Sequence, residues 1–170
     1  YARPASPQTK SSSIREIIGH ALEMTEKART EKDINVHVHF DEIDTPISVY
    51  PTMLEHALIN ICLNAIDAMK TGGTLIISTR SVDGSAKSLA VHIEDNGCGI
   101  DKEDLHHIFN PFFTRKKYGT GLGLTQVKKI IDMHQGSIEI SSIKDKGTSV
   151  TIILPVKQEY VASENISGRN

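Results

Sequence analysis

Between Pro51 and Lys70 the chain is apolar nearly all the way round a helix: Met53, Leu54, Ala57, Leu58, Ile59, Ile61, Cys62, Leu63, Ala65, Ile66, Ala68 and Met69. A helix without a wet face has to be covered on most sides, so this chain must fold by wrapping other elements around it. Pro51 suits the first helical position. Set into the apolar surface are Asn60, Asn64 and Asp67, at i, i+4 and i+7, which fall on one stripe. Asparagine is a poor helix former, and a covered carboxamide needs hydrogen-bond partners. For the helix alone, side chains bridging to nearby backbone would account for the stripe; set into a buried helix, it is better explained by a wet cavity holding something polar. Amide and carboxylate oxygens are the hard ligands Mg²⁺ accepts, and Mg²⁺ takes few protein ligands when phosphate and water supply the rest. Asn64 is therefore the candidate metal ligand, and Asn60 a candidate contact to phosphate or to metal-bound water.

A second stretch complements this helix. Leu89 to Glu94 alternates and runs into Asp95-Asn96-Gly97-Cys98-Gly99-Ile100, which places the Asp95 carboxylate at a strand end. A covered carboxylate needs donors, and the exocyclic amino group of adenine is one; guanine carries a carbonyl oxygen there, so the expected preference is ATP over GTP. Gly97 and Gly99 let backbone pass close to a flat ring or take positive φ. A hairpin-type turn explains Asn96-Gly97 by itself. It does not explain Asp95 together with the next glycine run, Gly119-Thr120-Gly121-Leu122-Gly123-Leu124. There Gly121 and Gly123 precede helical spacing at Leu124, Val127, Ile130 and Ile131, so their N–H groups lie at a helix N-terminus, where anions are favoured. No Gly-Lys-Ser/Thr follows and the spacing is not G-x-G-x-x-G, so neither a Walker A loop nor a Rossmann site is implied. Arg115, Lys116 and Lys117 lie just upstream, and Lys116 is the candidate to neutralise phosphate charge. A solvated loop accounts for at least one of the three. The expectation is an ATP site.

The rest of the chain supplies the frame. Residues 1–13 read as a linker. A helix is expected from Ile14 to about Lys32, with Ser13 and Glu16 as a capping box. Ile34 to Phe40 alternates as a strand whose His37 and His39 share one face; without a third ligand they read as a wet sheet face rather than a metal pair. Ile47 to Tyr50 forms a short strand and Thr74 to Arg80 another, and Asp83-Gly84-Ser85 turns the chain into the Asp95 strand. The helix after Gly123 runs to His134 and stops at Gln135-Gly136. Ser137 to Ile143 and Thr148 to Val156 close the sheet, with Thr148 placed to offer a hydroxyl near the base. Residues 157–170 are polar and read as a disordered tail.

Composition bounds the partners. At 170 residues and net charge −2, the chain makes one globular domain without a basic patch, so nucleic acid is not favoured as a partner. Two cysteines are no disulfide framework and suit a reducing compartment. No apolar run reaches membrane-spanning length, and no signal peptide is expected. A start at Tyr1 without Met suggests a piece of something longer, with the fragment cytoplasmic.

Asn60-x-x-x-Asn64-Ala65, Asp95-Asn-Gly-Cys-Gly-Ile100, Phe109-x-Pro-Phe-Phe-Thr-Arg-Lys and Gly119-Thr-Gly-Leu-Gly-Leu together resemble the N, G1, F and G2 boxes of the catalytic ATP-binding domain of bacterial sensor histidine kinases. Gly147-Thr148 and Leu154-Pro155 are similar to that family's closing strand, and Tyr1-Ala-Arg-Pro to the exit from its dimerisation helices. The resemblance covers Ile14 to Val156. It implies an α+β two-layer sandwich of the gyrase type: a mixed, largely antiparallel sheet with helices on one face. It also implies ATP and Mg²⁺ held beneath a lid, Asn110 to Gly121, by Asn60, Asn64, Asp67, Asp95, Gly97, Gly99, Ile100, Arg115, Lys116, Tyr118, Gly119, Thr120, Gly121, Leu122, Gly123, Leu124 and Thr148. The implied chemistry is transfer of the γ-phosphoryl group to a histidine and then to a response-regulator aspartate, in a protein that is a homodimer at full length.

Two departures from that family matter. A basic residue often stands three positions after the magnesium Asn, where this chain has Asp67; a second Thr is common where it has Arg115. The ATP hydrolases of the superfamily carry a Glu one turn before the metal Asn. Asn60 stands there and cannot act as a general base. None of His20, His37, His39, His56, His92, His106, His107 or His134 is followed by Glu or Asp, the usual phosphoacceptor context. The chain is thus expected to bind Mg-ATP, with its acceptor histidine elsewhere in the parent protein. A serine-directed switch kinase and a non-catalytic nucleotide-binding module are the alternatives.

Overall fold

The computed structural model describes residues 9–41, 46–82, 87–117 and 119–156. Among the described residues seven strands and four helices follow the order β1 (Lys10–Ser12), α1 (Ile14–Met24), α2 (Glu26–Glu31), β2 (Asn35–His39), β3 (Ile47–Val49), α3 (Pro51–Ala68), β4 (Thr74–Ser81), β5 (Ser88–Asp95), α4 (Gly123–Met133), β6 (Ser137–Ile143) and β7 (Gly147–Pro155). The expected turn at Asp83-Gly84-Ser85, the terminal tail and Tyr118 lie outside the described residues.

Five strands form one sheet in the order β2-β4-β5-β7-β6. β2 and β4 run parallel, and the other pairs are antiparallel. This is the mixed, largely antiparallel sheet expected. Helices α1 and α4 flank α3 over one face. The core lies between the layers: Ile14, Ile17, Ile18 and Ala21 from α1, Leu54, Leu58, Ile61 and Ile66 from α3, Val127 and Ile131 from α4, all against Leu75, Ile77, Val91, Ile93, Ile152 and Leu154. The alternation along β4 and β5 dictates this, because period-2 side chains put Leu89, Val91, Ile93 and Asp95 on the helix side and His92 and Glu94 on the open side. His37 and His39 are exposed, in keeping with the wet-face reading.

Three local expectations differ. The first helix breaks at Thr25, whose hydroxyl donates back to the Ala21 carbonyl at 2.9 Å and also reaches that of Leu22 at 3.2 Å. Such back-bonding competes with the helical ladder, and Thr25 leaves helical geometry at φ −102°, ψ 4°. Ser13 takes the N-cap position, but its side chain makes no capping hydrogen bond there, so the capping box does not form. Lys10–Ser12, read as linker, pairs antiparallel with β3 in a separate two-stranded sheet.

The C-terminus of α3 is held from outside. Lys32 Nζ donates to the carbonyls of Ile66, Asp67 and Met69 at 2.8, 3.1 and 3.0 Å, satisfying groups a helix end leaves unpaired. The polar end of α3 is thereby fixed against the α2–β2 connection. Among the described residues no helix is long and apolar enough to cross a membrane.

Candidate functional site

One stripe of α3 touches each of the other motifs in turn. At its N-terminal part, Asn60 donates Nδ2 to the His56 carbonyl at 3.0 Å, and its Oδ1 would lie 3.3 Å from a Cβ placed on Gly123. One turn on, Asn64 Oδ1 accepts from Lys116 Nζ at 2.8 Å, and Asp67 Oδ2 accepts from the same Nζ at 2.6 Å. At the helix end, the Ala68 carbonyl accepts from Cys98 N–H at 2.9 Å. The two glycine runs and the basic segment between them are thus lined up along one helix. Neither carboxamide is sealed in core: Asn60 and Asn64 are half-buried and Asp67 is exposed. The expectation of two buried amides is corrected to two half-buried amides on the polar stripe of α3, and Leu63, expected to be covered, is 37% exposed.

Asp95 ends β5 opposite Leu75 and Thr148 and is 7% exposed. Its Oδ1 accepts from Gly97 N–H at 2.8 Å. Burial raises the carboxyl above its ordinary range, while hydrogen bonds from the backbone of Gly97 and Thr148 oppose that rise. The loop that follows is stitched on three sides. Asn96 Oδ1 accepts from Thr74 N–H at 2.8 Å, Ile100 N–H donates to Ser142 Oγ at 2.8 Å, and Asp145 N–H donates to the Cys98 carbonyl at 2.8 Å. Gly99 has φ +65°, and a Cβ there would stand 2.2 Å from the Ile143 carbonyl oxygen. Its glycine is required by backbone and space together.

Thr148 bonds through Oγ1 to Ser142 Oγ at 2.9 Å, and Ser142 also reaches the Gly147 carbonyl at 2.9 Å. Ser142 was not singled out from sequence, yet it ties the Gly99-Ile100 backbone to the β6–β7 turn. A serine in an alternating strand carries no local signal of that task.

Gly123 opens α4, and Leu122 at the N-cap supplies no side-chain hydrogen bond. The first amides of this helix therefore lack a side-chain cap and favour an anion. Gly121 has φ +68° and packs so closely that a Cβ would meet the Phe112 backbone at 2.4 Å; Phe112 N–H donates to the Gly121 carbonyl at 3.0 Å. This clasp joins the two ends of the 110–121 segment. Thr125 Oγ1 donates to the Phe109 carbonyl at 3.1 Å and fastens the segment's base to α4. Within the segment, Gly119 N–H donates to the Lys116 carbonyl, and Thr120 Oγ1 accepts from Leu122 N–H at 3.4 Å. Leu122 and Leu124 are half-buried.

Arg115 faces away from α3. Its Nε and guanidinium nitrogen donate to both oxygens of Asp104 at 3.0 and 2.7 Å, a bidentate pair, with the guanidinium 5.9 Å from the Phe113 ring centre. The Asp104 carboxyl is held below its usual range by this partner. The structure gives Arg115 an anchoring role, tying the segment to residues 101–110. Asp104, its partner, gave no signal in the sequence.

The described residues present a covered acceptor at Asp95, an uncapped helix N-terminus at Gly123, and two oxygens converging on one cationic nitrogen at Asn64 and Asp67. The oxygens suit a hard cation, and the helix terminus suits phosphate. Residues 49–158 match the model of the histidine kinase-, DNA gyrase B- and HSP90-like ATPase family. The chain is 35% identical over 159 residues to the signal transduction histidine-protein kinase AtoS of Escherichia coli K12, covering 94% of this chain and 26% of that protein. It is 35% identical over 154 residues to the sensor histidine kinase ZraS of Salmonella typhimurium, covering 91% and 33%. It thus spans about a quarter to a third of the length of these curated relatives. Among solved structures, the nucleotide-free catalytic domain of histidine kinase ThkA superposes with a TM-score of 0.78 at 28% identity, covering 88% of this chain and 96% of that one. The mycobacterial sensor histidine kinase MprB gives 0.76 at 26% identity, covering 89% and 99%.

Proposed function

The chain belongs to the histidine kinase-, DNA gyrase B- and HSP90-like ATPase family, and from that premise we propose that it is the ATP-binding catalytic unit of a sensor histidine kinase. The γ-phosphoryl group of Mg-ATP is transferred to a histidine outside this chain and relayed to a response-regulator aspartate. The observation that carries this reading is the order of contacts along α3: Gly123 at Asn60, the Lys116 ammonium at Asn64 and Asp67, and the Asp95 loop at Ala68. A purine at one end and a polyphosphate at the other fit that order.

In this reading Asp95 accepts from the adenine amino group. The amides at Gly121 to Leu124 meet phosphate, and Asn64 holds the metal, which when bound supplies charge neutralisation of the phosphates. Lys116 adds positive charge near the transferred group, and Asn60 orients without abstracting a proton. A carboxamide cannot activate water as a carboxylate does, which suits transfer over hydrolysis. The reading also implies a cytoplasmic unit, docking on dimerisation helices of a homodimeric parent.

Mixing the chain with the separately made dimerisation and phosphoacceptor domain of its parent and γ-labelled ATP tests this. Acid-labile, base-stable label on that domain, with none on the chain alone, is the expected result. Label on a serine, or inorganic phosphate as the sole product, would overturn it.

A further inference from the structure

Asn64 and Asp67 sit one turn apart on α3, and their side-chain oxygens converge on a single atom, Lys116 Nζ, at 2.8 and 2.6 Å. A solvated lysine on a nearby loop needs only one carboxylate. Here a neutral carboxamide oxygen is recruited as well, so the two groups behave as a seat for a cation. On the reading of the cleft as a Mg-ATP site, we propose that Asn64 and Asp67 together form the Mg²⁺ seat, and that Lys116 fills it in the nucleotide-free chain. Metal entry then requires Lys116 to leave α3.

Three features support this. Both oxygens are acceptors with no proton to offer, the hard donor type Mg²⁺ takes, and Asp67 adds the negative charge that a carboxamide lacks. An ammonium and a divalent cation repel each other and cannot share two oxygens, so occupancy is exclusive. The neighbouring Arg115 is held on the opposite side by Asp104, while the Phe112–Gly121 clasp closes the base of the segment. Release of Lys116 therefore removes that hold of the segment on α3 while its base stays fastened. The freed ammonium is then available to phosphate. Asp67, where the family often carries a basic residue, gains a function: it holds the lysine in one state and the metal in the other. All three side chains are partly exposed, so the pair is worth little as a stabilising contact and suits a reversible latch.

The test uses Mn²⁺ alone as a paramagnetic probe on the nucleotide-free chain, with wild type, Lys116→Met, Asp67→Ala and the double variant. Alanine suits an exposed helical position, so Asp67→Ala is expected to fold. Lys116→Met should bind Mn²⁺ roughly two- to fivefold tighter than wild type, the range a half-exposed ion pair supports. The double variant should lose that gain. Hydrogen exchange of peptides covering residues 113–121 should quicken in both single variants and in wild type given Mg²⁺ alone. Unchanged Mn²⁺ affinity in Lys116→Met, or unchanged exchange in either single variant, would overturn the seat. Calorimetry of wild type with Mg-ATP separates the two readings: binding there with both readouts flat defeats the seat alone, whereas no binding defeats the ATP-site reading.

Discussion

Replacing Asp95 by Asn changes one oxygen to an amino group at the covered end of the cleft. The wild-type carboxylate accepts from Gly97 N–H at 2.8 Å and also from the Thr148 backbone, and its remaining lone pairs are open to a donor on the ligand. In the variant either the amide oxygen stays on Gly97 and the new NH₂ faces the adenine amino group, or the amide flips and the NH₂ faces Gly97 N–H. Both arrangements set donor against donor. Loss of a hydrogen bond to a charged group is worth about 1.5–3 kcal/mol and a desolvated unpaired donor about 1–3 kcal/mol. Together they weaken Mg-ATP binding by roughly a hundredfold to ten-thousandfold. Stability should move the other way or not at all. Burial raises the Asp95 carboxyl, so between the ordinary carboxylate range and the raised native value the native state holds more protons than the unfolded one. Stability falls across that window, and the ionised group keeps its penalty at neutral pH. The Asn variant is relieved of it. Calorimetry with Mg-ATP and urea unfolding are the two measurements, and a folded variant with near-wild-type Kd would refute the placement of adenine.

Further expectations follow from single contacts. His134 is 7% exposed, accepts from Tyr50 N–H at 3.0 Å and pairs through Nδ1 with the Ile130 carbonyl at 2.7 Å; His134→Ala should cost about 2–4 kcal/mol in urea unfolding. Gly147→Ala puts a Cβ 1.9 Å from the Asp95 carbonyl oxygen at φ +130° and should cost both stability and nucleotide binding, whereas Gly72→Ala, at φ +81° with open space, should cost only about 1 kcal/mol in thermal unfolding. The Cys62 thiol is buried and pushed up to about 12, while Cys98 is exposed, so a thiol reagent at pH 8 should modify Cys98 in the native chain and Cys62 only after unfolding. The depressed Asp104 carboxyl contributes stability that is present above its ordinary range and lost as pH falls through the native value. Acid titration of Arg115→Ala should lack that component.

What was legible in the sequence was periodic. The alternation from Leu89 to Glu94 delivers Asp95 to the helix side of the sheet, and the all-round apolar character of α3 predicts a helix covered on most sides, which α1, α4 and the sheet provide. The polar stripe at Asn60, Asn64 and Asp67 does meet Gly123 and Lys116 along one side of α3. What stayed hidden depends on partners distant in sequence. Nothing near Asp104 announces Arg115, and nothing near Ser142 announces Ile100, because a polar residue in a long-range pair follows no local period. Thr25 breaks a helix whose apolar spacing continues past it, since the competing hydrogen bond is invisible to hydropathy. Lys116 lies just before the second glycine run, yet its partners on α3, Asn64 and Asp67, stand about fifty residues away and leave no local mark in the sequence.

The central claim is that one nucleotide spans the cleft from Asp95 to Asn64. A crystal structure of the chain with Mg²⁺ and a non-hydrolysable ATP analogue tests it most directly. The account predicts the adenine amino group on the Asp95 carboxylate, phosphate oxygens at the amides of Gly121 to Leu124, and the metal on Asn64 with Lys116 withdrawn. An adenine ring bound elsewhere, or a metal with no contact to α3, would contradict it.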